Sequence, residues 1–245
     1  IDISSAGNAT DFGDLTQSRY KMAAAGNSTR SVFAGGNTSS GRVNTMDFKS
    51  ISSSGNCSDF GDMTQTRERF TGGANSTRAV FAMNDGSPDL AIDYITIATT
   101  GNGADFGDLS DGRGEGMNGN CNSPTRAYFI NGDFTDTIDS IAFSTLGNAV
   151  DFGNYANNGR AGGTCSSATR GIVFGGTASQ NTIRFFTLAT TGSTSVFGDL
   201  VGNYENSTAC SGLTRGISWG STVTAFKNTI EFVTISTTGN AVDFG

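Results

Sequence analysis

Short apolar runs bounded by glycine, asparagine, serine and threonine recur along the whole chain. One kind follows a Thr-Arg pair: Arg30-Ser-Val-Phe-Ala-Gly-Gly36, Arg78-Ala-Val-Phe-Ala82, Arg126-Ala-Tyr-Phe-Ile130, Arg170-Gly-Ile-Val-Phe-Gly-Gly176 and Arg215-Gly-Ile-Ser-Trp-Gly220. Runs this short, rich in β-branched and aromatic residues, predict buried strands rather than helices. A second kind alternates apolar with polar positions. It appears at Ile92–Ile97, Ile183–Leu188 and Ile230–Ile235, with Val43–Ile51 and Ile138–Phe143 in the same series and Ile1–Ile3 as a clipped copy. Period-two alternation is the pattern of a half-buried strand. A Gly-Asn pair follows most of these (Gly7-Asn8, Gly55-Asn56, Gly101-Asn102, Gly147-Asn148, Gly239-Asn240), and both residues tolerate the positive φ of tight hairpins.

Each such turn leads into a third kind of run, Asp-Phe-Gly-Asp-Leu or a variant, centred on Phe12, Phe60, Phe106, Phe152, Phe197 and Phe244 and spaced 45–48 residues apart. A fourth strand begins around an arginine or a glycine-rich stretch, at Arg19–Ala23, Arg69–Gly73, Gly116–Cys121 and Arg160–Cys165. Four antiparallel strands in a period of about 46 residues predict a β-propeller blade. The expected fold is all-β, a single propeller over 1–245 with five blades at 16–62, 63–108, 109–154, 155–200 and 201–245, preceded by a half-blade at 1–15. The inner strand pair occurs five times and the outer pair six. The ring therefore either takes its last blade from 205–245, leaving 1–15 over, or completes it with 1–15, leaving 221–245 over.

The order of these features resembles the kelch and galactose-oxidase type of propeller repeat. There an apolar strand ends in Gly-Gly (here Gly35-Gly36 and Gly175-Gly176), a tyrosine-containing strand follows (Tyr94, or Phe185 in its place), and an aromatic precedes Leu and Arg (Phe106, Leu109, Arg113). Phe stands throughout where that family has Trp, and Gly-Gly is lost at Met83-Asn84 and Asn131-Gly132. The wording Asp-Phe-Gly-Asp-Leu-Thr, Asn-Ser-Thr-Arg and Phe-Ala-Gly-Gly also resembles repeat proteins of marine tailed bacteriophages, especially those infecting cyanobacteria.

Composition narrows the function. A formal charge of −7, with nine of the 15 basic residues committed to two repeated arginine series (Arg19, Arg67, Arg113, Arg160; Arg30, Arg78, Arg126, Arg170, Arg215), argues against nucleic acid. The two series are expected to hydrogen-bond carboxylates and carbonyls between blades. No apolar run has the roughly 18 residues of a membrane helix, so no membrane insertion is expected. The chain has no histidine. This removes the commonest general base and metal ligand, and with them the copper site of the galactose-oxidase type. Cys57, Cys121, Cys165 and Cys210 lack Cys-x-x-Cys spacing, and the last three are equivalent repeat positions. They are expected to be buried free thiols, with no metal and no cofactor. Asp14, Asp62, Asp108 and Asp199 are expected to accept backbone hydrogen bonds at a strand end, the repeated phenylalanines to pack between blades, and Trp219 to be a packing variant.

Function is then expected where the repeat breaks. Loops joining strand two to three and blade to blade emerge on one face and vary strongly, and varied loops on a repeated scaffold carry specificity. Arg113, Phe134, Tyr155, Asn157, Asn158 and Tyr204 are the candidate ligand-binding residues, the rings to stack on sugars and the polar groups to bond their hydroxyls; Phe226 belongs with them. No catalytic residue is assigned. The reading is a non-enzymatic propeller, extracellular or on a virion surface. Its partner is expected to be a surface glycan or another surface or virion protein, as a possible homo-oligomer or part of a larger assembly. A secreted glycoside hydrolase or lyase is the alternative, drawing two carboxylates from Asp85, Asp89, Glu115, Asp133, Asp136 and Glu205. A kelch-like protein-interaction scaffold is the third reading.

Overall fold

The computed structural model describes residues 8–83, 90–112, 119–132, 135–156, 161–176, 180–203, 207–220 and 228–244. Those residues form five four-stranded antiparallel sheets arranged as a β-propeller, with no helix among them. Blade 1 comprises Ala23–Gly26, Arg30–Ala34, Thr45–Ser50 and Ser58–Asp62, and blade 2 Thr71–Ala74, Arg78–Ala82, Ala91–Thr96 and Ala104–Asp108. Blade 3 comprises Asn120–Asn122, Arg126–Gly132, Thr135–Ala142 and Val150–Asn154, and blade 4 Ala161–Ser166, Arg170–Gly176, Gln180–Thr187 and Ser195–Asp199. Blade 5 comprises Thr208–Ser211, Arg215–Trp219, Ile230–Thr234 and Val242–Asp243. The strands of each sheet lie in chain order. The last blade thus takes its outer strand from the carboxyl-terminal residues, and Asp11–Leu15 forms no strand. The innermost strands of blades 1 and 2 start later than expected, at Ala23 and Thr71 instead of Arg19 and Arg69, because both arginines belong to the preceding connections.

The repeated Asp-Phe-Gly-Asp acquires a physical reason here. The first Asp accepts the backbone N–H two residues on, as in Gly107 N to Asp105 Oδ1 at 3.0 Å, which closes a local turn at a register shift in the sheet. The Phe carbonyl then accepts from the Gly of the next blade's Gly-Asn turn, Gly147 N to Phe106 O at 2.8 Å. The second Asp accepts at its carbonyl from Ala149 N and donates its N–H to Asn148 Oδ1, at 2.7 and 3.1 Å. The expected role of this second Asp is therefore corrected: it works through its backbone, and the carboxylate that accepts is the first one. The same set joins blade 1 to 2 through Phe60 and Gly101, and blade 4 to 5 through Phe197 and Gly239. Between blades 3 and 4, Gly192 N bonds Phe152 O, and Ser193 Oγ replaces the Asn side chain.

Four buried clusters lie between successive blades, and four of the six repeated Phe sit in them as expected: Phe60, Phe106, Phe152 and Phe197. Phe12 and Phe244 are exposed, which corrects that expectation at the two ends of the series. Burying such a ring stabilises by about 2–3 kcal/mol. The ring also meets a third-strand aromatic edge-on, Tyr94 with Phe106 at 5.9 Å and Phe185 with Phe197 at 5.8 Å. Over that aromatic lies the second-strand Arg, for example Arg170 at 4.7 Å from the Phe185 centroid. Its guanidinium donates to a third-strand carbonyl of the next blade: Arg30 to Ile97, Arg78 to Phe143, Arg170 to Ile235.

Blade 3 solves the same problem differently. Ser140 occupies the place of the third-strand aromatic, so Arg126 has no ring to lie on and bonds Ser140 Oγ instead, at 3.4 Å. Tyr128 fills the gap, packing edge-on against Phe152 at 5.0 Å. Its hydroxyl donates to the carbonyl of Leu188, the acceptor equivalent to Ile97 and Phe143.

Two stability measurements follow. Gly107 has φ +140°, and a Cβ there would lie 2.5 Å from the Gly147 carbonyl, so Gly107→Ala is expected to destabilise by about 1–3 kcal/mol in urea unfolding. Tyr128→Phe leaves the Leu188 carbonyl without its buried donor and is expected to cost about 1–3 kcal/mol, whereas Tyr94→Phe, which removes no such bond, should be near neutral.

Candidate functional site

Of the ligand-binding residues expected from sequence, Arg113, Phe134, Asn157, Asn158 and Tyr204 lie outside the described residues, as does Phe226. Tyr155 is described, and its expected exposure is corrected. The side chain is 1% exposed, packed in the cluster between blades 3 and 4, and its hydroxyl donates to Gly175 O at 2.7 Å. The register Phe-Gly-Asn-Tyr against Phe-Gly-Asp-Leu carries the signal: Tyr155 takes the core position of Leu109 and Leu200, and its ring is sealed from solvent. Of the carboxylates considered for hydrolysis, only Asp136 lies among the described residues.

The two arginine series divide. Arg19 and Arg67 are buried in the connections entering blades 1 and 2. Arg19 pairs with Asp47 at 2.9 Å, and Arg67 lies 3.6 Å from Asp93. The same carboxylates accept from the residue after the outer strand, Thr16 Oγ1 to Asp47 and Thr64 Oγ1 to Asp93, both at 2.6 Å, and Ser110 Oγ does this to Asp139 at 2.5 Å. These polar groups fix the entry of each blade and face no cleft. On the varied-loop side, Glu68 links blades 1 and 2 through Asn37 and Arg42, each at 3.0 Å, and Lys21 at 3.2 Å. Burial alone would raise its pKa, but these three donors hold the carboxyl down at about 2.

What all five blades share is the axis. The amino-terminal ends of the innermost strands surround a cavity of about 500 Å³ that opens on the varied-loop face; Ala24, Gly72, Asn120, Thr164 and Thr208 are among its walls. A second hollow, about 420 Å³, lies at the opposite mouth beside Asn75, Asn122, Ser166 and Ser211. Small residues are required here because the inner strands approach closely; a Cβ on Gly72 would lie 2.8 Å from Ala24 O. Hydroxyls then bridge blade to blade: Thr164 Oγ1 donates to Asn120 O at 3.2 Å, Ser166 Oγ to Asn122 O at 2.9 Å, and Ser211 Oγ to Ser166 O at 2.8 Å.

Asn120 and Asn122 hold in blade 3 the positions of Thr164 and Ser166 in blade 4, but their amides behave differently. They approach Gly73 of blade 2, and Asn120 Oδ1, Asn120 Nδ2 and Asn122 Oδ1 are buried without a hydrogen-bond partner. A buried amide left unpaired costs about 1–3 kcal/mol, so these atoms carry an unmet demand for hydrogen bonds. Among the described residues no charged side chain lines the axial cavity. The described walls offer backbone, hydroxyl and amide groups. Sequence reasoning missed Asn120 and Asn122; the signal was Asn-Cys-Asn where the next blade has Thr-Cys-Ser. Among the described residues no cluster of His, Cys, Asp and Glu has the makings of a metal site, and no helix is long and apolar enough to cross a membrane, which says nothing of β-barrels.

All four thiols are free. Cys121 and Cys165 are buried, and desolvation pushes Cys165 up to about 12 and Cys121 well above the usual range. Cys57 is half-buried and also raised, by desolvation first and by Asp47 second. Cys210, expected to be buried, is exposed, because among the described residues no further blade covers it as blade 5 covers Cys165. Because the thiolate is the reacting form, native labelling near neutral pH is expected to modify Cys210 first and Cys57 slowly. Cys121 and Cys165 should react only on unfolding, as peptide mapping of the labelled protein would show.

Compared with known protein families the chain matches none, and no curated protein matches it.

Proposed function

We propose that this propeller is a non-enzymatic binding module whose axial cavity, on the varied-loop face, takes a neutral polyhydroxylated ligand such as a surface glycan. The observation that carries the reading is Asn120, whose buried amide atoms lack partners beside a cavity that no charged side chain lines among the described residues. Sugar hydroxyls are donors and acceptors at once and match amide, hydroxyl and backbone groups without needing charge. A phosphate or carboxylate ligand would ask for an Arg or Lys in the wall. Glycosyl transfer would ask for carboxylates there, and the described part of the wall offers neither.

The resemblance of the repeats to kelch-type blades and to bacteriophage repeat proteins supports an adhesion role outside cells, on a particle or surface, with the varied loops adding contacts around the rim. Arg113, Phe134, Asn157, Asn158 and Tyr204 remain the proposed rim residues, and Tyr155 is withdrawn.

Neutral oligosaccharides screened on an array and followed by calorimetry test this reading. Asn120→Ala is expected to weaken binding at least tenfold while leaving thermal stability unchanged or raised, since it removes an unpaired buried amide. Failure of every neutral glycan to bind at millimolar concentration, or binding indifferent to Asn120→Ala, overturns it.

A further inference from the structure

Five blades make five neighbouring pairs in a ring, yet buried clusters join only blades 1 to 2, 2 to 3, 3 to 4 and 4 to 5 among the described residues. The face that blade 4 turns to blade 5 carries Phe174, Ile183 and Phe197, all buried beneath Val233, Ile235 and Ala241. The equivalent residues of blade 5 are Trp219, Ile230 and Phe244, and they are 38%, 37% and 54% exposed. Arg215 lies 4.6 Å from the Phe232 centroid, as its counterparts lie over theirs, but donates to no carbonyl among the described residues. Blade 5 thus presents a complete donor face.

The other end of the chain carries the complement. Phe12 O accepts from Gly55 N and Asp14 O from Cys57 N, both at 2.8 Å, while Asp14 N donates to Asn56 Oδ1 at 3.1 Å. Residues 11–16 therefore sit on blade 1 as the outer strand of a preceding blade sits on its neighbour. They occupy the place where the outer strand of blade 5 would dock to close the ring. Immediately before them, Asn8-Ala9-Thr10-Asp11-Phe12 repeats Asn240-Ala241-Val242-Asp243-Phe244. In blade 5 that stretch is the edge seated on blade 4: Asn240 Oδ1 accepts from Asp199 N at 3.0 Å, and Ala241 is buried against the Phe197 cluster. Ala9 is exposed and Phe12 is 46% exposed, so within one copy this edge and the blade 5 face do not cover each other.

We infer that the open face of blade 5 is a docking surface for the Asn8–Phe12 edge of a second copy, giving a head-to-tail assembly. The contact is heterologous, with unlike patches on the two subunits, so it propagates instead of closing as a two-fold dimer. It is independent of the proposed glycan site on the axis.

Sedimentation and intrinsic fluorescence test this, because Trp219 is the only tryptophan. The wild-type chain is expected to sediment as larger species with rising concentration, and acrylamide quenching of Trp219 should fall in parallel. Ala9→Asp spoils the edge and Trp219→Asp the face, with Phe244→Ser as a second face variant should Trp219→Asp fail to fold. Each variant alone should stay monomeric, and an equimolar mixture of an edge variant with a face variant should form a heterodimer and nothing larger. Self-association by Ala9→Asp alone would mean face-to-face pairing and overturn the proposal. A wild-type chain that stays monomeric overturns it as well: with Trp219 quenchable the face is unused, and with Trp219 shielded it is covered within one copy.

Discussion

The contact on which this architecture depends is the seating of each outer strand on the Gly-Asn turn of the next blade. Three hydrogen bonds, a Phe ring and a glycine without a Cβ act together at that place, and removing the glycine's freedom disturbs all of them because the next turn's carbonyl lies against it. The motif therefore recurs for reasons of geometry. Asp bends the strand, Phe fills the space between sheets, Gly admits the neighbour, and the second Asp contributes main-chain N–H and C=O. A sheet of four strands has two faces to cover, and this seam covers them by making every blade the lid of the one before.

The second layer of order is the connection between blades. A carboxylate in the third strand gathers the incoming hydroxyl and, in blades 1 and 2, a buried arginine. Repeats differ at this point more than at the Phe seam. Blade 4 has Arg184 where the others have an acid, and there Ala156 N turns to Thr194 Oγ1 instead; blade 5 has Glu231, which accepts from Val201 N at 2.9 Å. Each solution seats the incoming connection on a different acceptor, and Arg19 Nε and Arg184 Nε stay buried without a hydrogen-bond partner.

Much of the fold was legible because a period of about 46 residues is a strong constraint and its apolar alternation fits only strands. Strands two and four could be placed within a residue or two, since Thr-Arg and Asp-Phe-Gly bracket them. The innermost strand was misplaced in blades 1 and 2 because Arg19 and Arg69 look like strand openers, whereas the Arg19 guanidinium is spent on buried Asp47 and Arg69 sits at a left-handed φ of 51° before the strand begins. The candidate site was less legible. Asn120 and Asn122 are ordinary polar residues in a sequence full of them, and only the close approach of Gly73 makes their amides unusual. Tyr155 shows the opposite error: aromatic residues near varied loops look like ligand platforms, but register with Leu109 outweighs that impression.

Blade 3 offers a last lesson in what the repeats exchange. Loss of an aromatic at Ser140 and gain of Tyr128 happen inside one blade, and the neighbour meets the new ring with the Phe186 side chain and the main-chain carbonyl of Leu188. Most of the staples described above likewise end on peptide groups of the following blade. A backbone acceptor is the same whatever side chain it carries. At those staples a changed side chain in one blade asks for no matching change next door, whereas in the buried clusters side chains of both blades must fit each other. The propeller behaves as an alphabet whose letters join by their spines, which leaves the rim free to diversify quickly.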